Sequence, residues 1–452
     1  MSSFKVIIIG GGLSGGLLAN GLLNNNIDFM VYERDHNDSK REGYQIRLGD
    51  GAQAGFRACL TPTQLEAIMS KLGKSTVAAA QAPSIFTTQF KEIIDLSSIP
   101  NYAKSAAINR VVLRDILLSY VKDVDRIRYG KAFVKYTTIQ DSGRERVCVE
   151  FADGTTDICD LLVAADGAYS KINKQIGLDS HVRLDSHWFF LSKGKLPHDR
   201  MMELPAKLRQ GPIMVTHKNT LTYYALYLPE GSSHSDAAGG TAGLEYDEQA
   251  ASFYWCIIIP VADLPYKNIS EIEDSDKRKI VLNQLKTWAP EFTKMYSVGS
   301  EDPDAEITIV KSNASIQPRA DWRVQASRTD PEKGNPRVWL MGDAIHAMQP
   351  NRGQGGNQAL YDCGDMLPQI IRLASISASS RPCTTSDYEE ACSAYERVML
   401  PRAFAWVKKS GGTTIPNFSL DGWLGVLVRA GASLVVPLIR TWYSVFGSKD
   451  AH

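Results

Sequence analysis

The stretch GDAIHAMQPNRGQGGNQAL, residues 342–360, decides how this chain is read. It is one of two glycine-dense segments; the other, VIIIGGGLSGG, residues 6–16, lies near the N-terminus. Each follows an apolar run and leads into sequence of helical periodicity, so each reads as strand, turn and helix. The distal segment could serve a second nucleotide, the far end of a first one, or no ligand at all.

The N-terminal segment has the more familiar pattern. A β-branched run, Phe4–Ile9, ends at Gly10; a helix is expected over Leu13–Leu23; a second strand, Asp28–Tyr32, ends at Glu33. That order opens a doubly wound α/β sheet. Gly10, Gly12 and Gly15 match G-x-G-x-x-G between strand and helix, with Leu13 and Ser14 filling the last gap. The first glycine allows a tight turn, the second lets a pyrophosphate approach bare backbone, and the third lets helix and strand pack closely. Glu33, followed by Arg34, can accept both ribose hydroxyls of an adenosine and disfavours a 2′-phosphate. FAD and NAD both satisfy this pattern, and a glycine turn without a ligand is the bland alternative.

The distal segment separates the two cofactors. Gly342 and Asp343 follow the apolar strand VWLM (338–341), which places Asp343 at a carboxyl end of the sheet, beside its ligand crevice. Gly353, Gly355 and Gly356 precede a helix expected over Asn357–Leu373, where Leu360, Cys363, Leu367, Ile370 and Ile371 keep helical spacing and Pro368 should bend the axis. An aspartate poised for hydroxyls, plus a helix N-terminus reached through bare backbone, suits a polyol chain ending in an electron-poor ring. The helix dipole would stabilise negative charge on that ring. FAD offers both parts, a ribitol and an isoalloxazine; NAD offers neither.

Composition bounds the rest. A chain of 452 residues with 44% apolar and 22% charged residues is expected to fold into two or three sub-domains. Lys plus Arg equals Asp plus Glu, 50 each, so no global field steers the chain onto nucleic acid, and a small-molecule partner is expected. The seven cysteines are scattered, without CxxC pairs or metal-ligand spacing, and the N-terminus lacks the order of a signal peptide; a cytoplasmic body is expected. Between 181 and 300 the pattern changes to alternating strands, such as TLTYYALYLP (220–229) and ASFYWCIIIP (251–260), around the Ser/Gly-rich EGSSHSDAAGG (230–240). The expected organisation is an α/β, Rossmann-like FAD-binding domain over 1–180, interrupted by a mostly antiparallel β-sheet substrate domain over 181–300. It resumes over 301–375 and is followed by a C-terminal helical segment, 376–452. Within that segment WLGVLVRAGASLVVPLIRTWYSVFG (423–447) is strongly apolar but interrupted by Arg429, Pro437 and Arg440. A helix packed on the body, or dipping into a membrane surface, is expected there rather than a span.

Four blocks in order carry a family resemblance: the glycine turn with Glu33, INRVVLRDILL (108–118), AADGAYSKI (164–172), and the distal segment itself. Over residues 4–375 the chain resembles the class A FAD-dependent monooxygenases, the aromatic-hydroxylase superfamily that includes salicylate hydroxylase-like and tetracycline-degrading enzymes. By that resemblance Glu33 would hold the adenosine ribose, and Arg110 would lie near the pyrophosphate, with Arg114 one turn later on the same face. Asp343 would bind ribitol and pyrophosphate, and Gly353, Gly355, Gly356 and Asn357 would line the isoalloxazine edge. GYQIRL (43–48) falls where the family has a flavin-side loop, so Gly43 and Arg47 join the candidates. Arg352 departs from the family's usual small or polar residue and fits a substrate contact or a surface charge equally. Asp166-Gly167 fits a motif serving FAD and nicotinamide, or a plain strand-to-helix turn. His346 is expected to be a structural, hydrogen-bonding histidine.

The resemblance implies one cycle. NADPH or NADH, bound transiently because no second G-x-G-x-x-G is present, reduces FAD. O2 then adds at the flavin C4a carbon, and the hydroperoxide hydroxylates or epoxidises an electron-rich aromatic or polycyclic molecule, in keeping with a role in secondary metabolism. The substrate pocket is expected against the strands of 181–300, where Tyr223, Tyr224, Tyr227, Phe253 and Trp255 alternate; no catalytic side chain is singled out. Three alternatives remain open. A halogenase needs a second Trp where WCIIIP has Ile257. A flavin oxidase or dehydrogenase would insert no oxygen. A non-catalytic flavin-binding protein would consume no NAD(P)H.

Overall fold

The run Lys5–Ile9 forms the central strand of a five-stranded sheet, in the order Val338–Leu340, Leu161–Ala164, Lys5–Ile9, Asp28–Tyr32, Ile127–Arg128. The computed structural model describes residues 4–37, 45–72, 82–98, 106–141, 143–227, 251–298, 306–330, 332–379, 381–415 and 419–446. All four pairings in this sheet are parallel. Val6, Ile7, Ile8 and all of Leu161–Ala164 have no exposed surface. Burial on both faces is why these strands read as unbroken apolar runs rather than as alternations. The strand Val338–Leu340 joins this same sheet, so the two glycine-dense segments leave neighbouring parts of one scaffold.

The chain forms two compact units, each assembled from three segments. One comprises Met1–Ser70, Arg110–Arg183 and Asn313–Thr414; the other comprises Lys71–Asn109, Leu184–Ser312 and Ile415–His452. Their composition differs from the domains expected on sequence, with residues 301–312 falling in the second unit instead of the resumed FAD-binding domain. Residues 71–109 join the second unit, and the expected C-terminal segment is divided between the two. It is also not continuously helical. Thr385–Lys409 and Trp423–Phe446 are separate helices, the first opened by a capping box between Thr384 and Asp387.

In the first unit the distal helix runs over Gly355–Ala378, beginning before and ending after the expected limits. Pro368 lies inside it and deprives the Gly364 carbonyl of its helical donor. Burial of Cys363, Met366, Leu367, Ile370 and Leu373 holds the helix together through that point.

The second unit is built on a seven-stranded sheet. Its order is Thr308–Ser315, His181–Lys195, Ser252–Pro260, Thr220–Tyr227, Ile213–His217, Ser84–Phe86, Glu92–Asp95. The described pairings are antiparallel except for Ile213–His217 with Ser84–Phe86. Tyr224, Phe253 and Trp255 point into a core shared with Trp188, Phe292 and Tyr296. The aromatic alternation is therefore mostly packing, and Tyr223 alone of the five named aromatics is more than slightly exposed. Residues 230–240 lie outside the described residues. Among the described residues no helix is long and apolar enough to cross a membrane.

Candidate functional site

The N-terminal turn has the shape its glycines require. Gly10 sits at φ +110°, and a Cβ there would lie 2.3 Å from the Ala165 carbonyl oxygen. A Cβ at Gly15 would lie 2.0 Å from the Gly10 oxygen, so helix and strand approach too closely for any side chain. Gly12 has nothing within 4 Å of where its Cβ would be, and no side chain caps the helix Leu13–Asn24 that follows it. Bare backbone at an uncapped helix N-terminus is a ready site for phosphate oxygens. Leu13 and Ser14 are buried in that first turn.

Glu33 stands beside this turn, 3% exposed. Its carboxylate accepts the Gly11 N–H at 2.9 Å and the Asp35 N–H at 3.0 Å. Arg114 completes the corner: its Nε donates to the Gly11 carbonyl at 2.7 Å, and its Nη2 lies 3.7 Å from Glu33. Arg114 is thus brought to the glycine turn, and Arg110, the first residue of the helix Arg110–Asp123, is half-buried at its start. Four-residue spacing puts both on one helical face, as the sequence implies. Arg34 is exposed and ion-paired with Asp35 at 3.5 Å.

The distal segment lies alongside. Gly342 adopts φ +59°, and a Cβ there would sit 3.3 Å from the Ser14 hydroxyl and 3.0 Å from the Ala359 methyl. A Cβ at Gly356 would be 3.9 Å from the Leu13 side chain, and the Cys363 thiol donates to the Ser14 carbonyl at 3.3 Å. Asp343 is exposed although Gly342 and Ala344–Gln349 around it are buried. Its backbone oxygen accepts from His181 Nε2 at 3.0 Å. Burial lowers the His181 pKa, consistent with a neutral ring donating that bond. Gly353, at φ +60°, opens onto free space, and no side chain caps the 24-residue helix that starts at Gly355.

Asn357 is committed elsewhere. Its amide donates to the Arg47 carbonyl at 2.7 Å and accepts the Gly49 N–H at 2.8 Å. It clamps the strand Gln45–Leu48 to the distal helix, leaving its backbone as what it offers a ligand. The segment expected as a flavin-side loop is accordingly a strand over 45–48, with Arg47 half-buried in it; Gly43 lies outside the described residues. Arg352 is exposed in a short 3-10 turn, Pro350–Arg352.

A buried ionic network underlies Asp343. Asp362, with no exposed surface, accepts the Gly342 N–H at 2.8 Å, His346 Nε2 at 2.6 Å and Arg402 Nη2 at 2.7 Å. Arg402 also reaches Asp365 at 2.7 Å and lies over the Tyr361 ring at 4.1 Å. Burial lowers the His346 pKa, but the Asp362 charge and hydrogen bond raise it further, leaving it above the ordinary value. Asp362 is held below the usual carboxylate range by His346 and Arg402, against burial. His346 is therefore fully buried and hydrogen-bonded to Asp362 within this network. The aspartate and arginine escaped sequence reasoning because a carboxylate three residues before another on a helix reads as a solvated face. On the middle block, burial pushes the Asp166 carboxyl up to about 6, against lowering hydrogen bonds from Ser170 and nearby backbone. Its Oδ1 is buried with no hydrogen-bond partner among the described residues.

These residues fit FAD. Two uncapped helix N-termini with bare glycine backbone, and carboxylates at Glu33 and Asp343, all belong to the first unit.

Comparison with known proteins agrees with this fit. Residues 282–400, which contain the whole distal segment, match the family described as FAD binding domain. The chain is similar to the dual O-methyltransferase/FAD-dependent monooxygenase elcB of Phaeosphaeria nodorum, 24% identical over 90% of this chain and 45% of that protein. It therefore spans less than half the length of that relative. It is also similar to the FAD-dependent monooxygenase nvfK of Aspergillus novofumigatus, 24% identical over 84% of this chain and 73% of that one. Among solved structures its fold matches Klebsiella pneumoniae HpxO complexed with FAD and uric acid, with TM-score 0.66 and 18% identity over 96% of this chain and 95% of the other. The resemblance to class A FAD-dependent monooxygenases holds in matched domain, relatives and fold.

Proposed function

We propose that the protein is an FAD-dependent monooxygenase that uses NADPH or NADH and O2 to hydroxylate or epoxidise an aromatic or polycyclic small molecule in secondary-metabolite biosynthesis. The observation that carries this reading is the meeting of the two glycine turns at Ser14 and Gly342, which makes one extended cradle instead of two nucleotide sites. In it Glu33 would accept the adenosine ribose hydroxyls, and the uncapped N-terminus of Leu13–Asn24 would take the pyrophosphate. Arg114 fixes the Gly11 peptide and Glu33 in place. Asp343 would accept ribitol hydroxyls, and the uncapped N-terminus of Gly355–Ala378 would offer its dipole to negative charge on the ring. When bound, FAD supplies electron transfer from the nicotinamide to O2 and delivery of one oxygen atom to the substrate, the other leaving as water. The names of the relatives and of the FAD complex of HpxO support the same reading.

Two measurements test it. Asp343→Ala and Glu33→Ala should each lower flavin retained through gel filtration, with roughly tenfold weaker affinity from losing charge-assisted hydrogen bonds. Full flavin occupancy in Asp343→Ala would sink the two-ended cradle. Turnover under 18O2, on a compound found by screening for stimulated NADPH oxidation, should place one labelled atom in the product. An unlabelled oxidised product would assign an oxidase or dehydrogenase instead.

A further inference from the structure

The helix Trp423–Phe446 turns a stripe of large apolar side chains away from its own unit. Trp423, Leu427, Leu434 and Leu438 are 74%, 58%, 71% and 69% exposed, and with exposed Ala430 between them they fall on one helical face. Val426, beside them, is 68% exposed. The less exposed Leu424, Gly425, Ala432, Val436 and Ile439 fall on the opposite face, and the helix lies against the strand Glu92–Asp95 of the same unit. Its start is pinned. Asp421 accepts the Thr88 N–H at 2.7 Å and the Thr88 hydroxyl at 3.0 Å, and pairs with His217 Nδ1. The outward stripe is thus held in place, and a continuous apolar face of this size marks an interaction surface.

Charge decides what covers it. Residues 423–446 hold arginines at 429 and 440 and no carboxylate, and Arg429 is exposed. A second copy laid on this face would bring arginine to arginine with no acid on the helix to pair. An anionic lipid surface would complement it. We propose that this helix lies in the headgroup–acyl boundary of an anionic bilayer, with Trp423, Leu427, Leu434 and Leu438 inserted, anchoring the protein as a peripheral membrane enzyme without crossing the bilayer. The overall neutrality of the chain does not oppose this, because the attraction acts within a Debye length of the helix.

Flotation of the full chain tests it, using vesicles of phosphatidylcholine with phosphatidylserine and vesicles of phosphatidylcholine alone. The wild type should float with the anionic vesicles and less with the neutral ones. The double substitution Leu427→Asp/Leu434→Asp should lower partitioning roughly a hundredfold. Both side chains are exposed, so the melting temperature and flavin content should stay unchanged, which separates lost binding from misfolding. Failure of the wild type to float, or equal flotation of the double variant, overturns the proposal. A wild-type dimer that becomes monomeric in the double variant would assign the face to a second copy instead.

Discussion

Asp362 carries more of the cradle than any residue that a ligand would touch. It holds the Gly342 peptide, His346 and Arg402 at once, and through them the turn that presents Asp343. Asp362→Asn keeps the shape and removes the charge, leaving a buried guanidinium under-compensated. A loss of about 3 kcal/mol is expected, read as a lower melting temperature with weakened flavin retention. The pH dependence follows from the two shifts. His346, raised in the folded state, contributes stability that is fully present below its ordinary value and is lost as pH rises through the raised one. Asp362, lowered in the folded state, contributes stability that is present above the ordinary carboxylate value and is lost as pH falls through the depressed one. The gap between wild type and variant should therefore be widest between about pH 4 and pH 6.5 and narrow on either side. A gap independent of pH would show that the pair is not ionised in the fold.

The distal helix owes its position to a close approach that only one residue type permits. Gly55, in the helix Asp50–Cys59, would place a Cβ 2.0 Å from the Leu360 carbonyl oxygen and 2.7 Å from its carbon. Backbone meets backbone there, so no rotamer relieves the contact. Gly55→Ala should cost about 1–3 kcal/mol and push the N-terminus at Gly355 and Gly356 away from Leu13. Denaturation midpoints and flavin affinity should fall together; a stable variant with normal flavin content would show that the helix can shift without consequence. The strands Lys5–Ile9, Asp28–Tyr32, Leu161–Ala164 and Val338–Leu340 and the helices after the two glycine turns were legible in sequence to within a few residues, since continuous apolar runs and helical spacing are local signals. The helix Asp50–Cys59 and the strands Phe133–Asp141, Arg144–Phe151 and Thr156–Cys159 were not. The reach of the distal helix to Ala378 was not, because Pro368 is a local breaker overridden by burial on its inner face.

Every proposed cofactor contact falls in one of the two units: Gly10–Gly15, Glu33, Arg114, Asp343 and Gly353–Asn357. FAD should therefore stabilise that unit selectively. At a free concentration about a hundredfold above the dissociation constant, the gain is about 2.7 kcal/mol. Calorimetry of apo and FAD-saturated protein should show one transition moving up while any transition of the other unit stays in place; identical traces would remove FAD as a ligand of this fold. The segments of each unit are far apart in sequence, so their membership could not be read from order alone. Residues 71–109 join the seven-stranded sheet through Ser84–Phe86 and Glu92–Asp95, pairings that no local pattern announces.

The amino-acid sequence by itself determined the parallel sheet, both glycine turns and the carboxylates at two strand ends. Each depends on a few neighbouring residues: burial on both faces, a backbone no side chain can adopt, an acid within three residues of a strand's end. Tertiary structure alone decided that the turns meet at Ser14 and Gly342, and that Arg114 closes the first corner. It also decided that Asp362 and Arg402 support the second corner, and that the apolar helix shows its stripe to the outside. Those outcomes rest on distances between residues far apart along the chain, where packing chooses among partners that the sequence leaves equivalent.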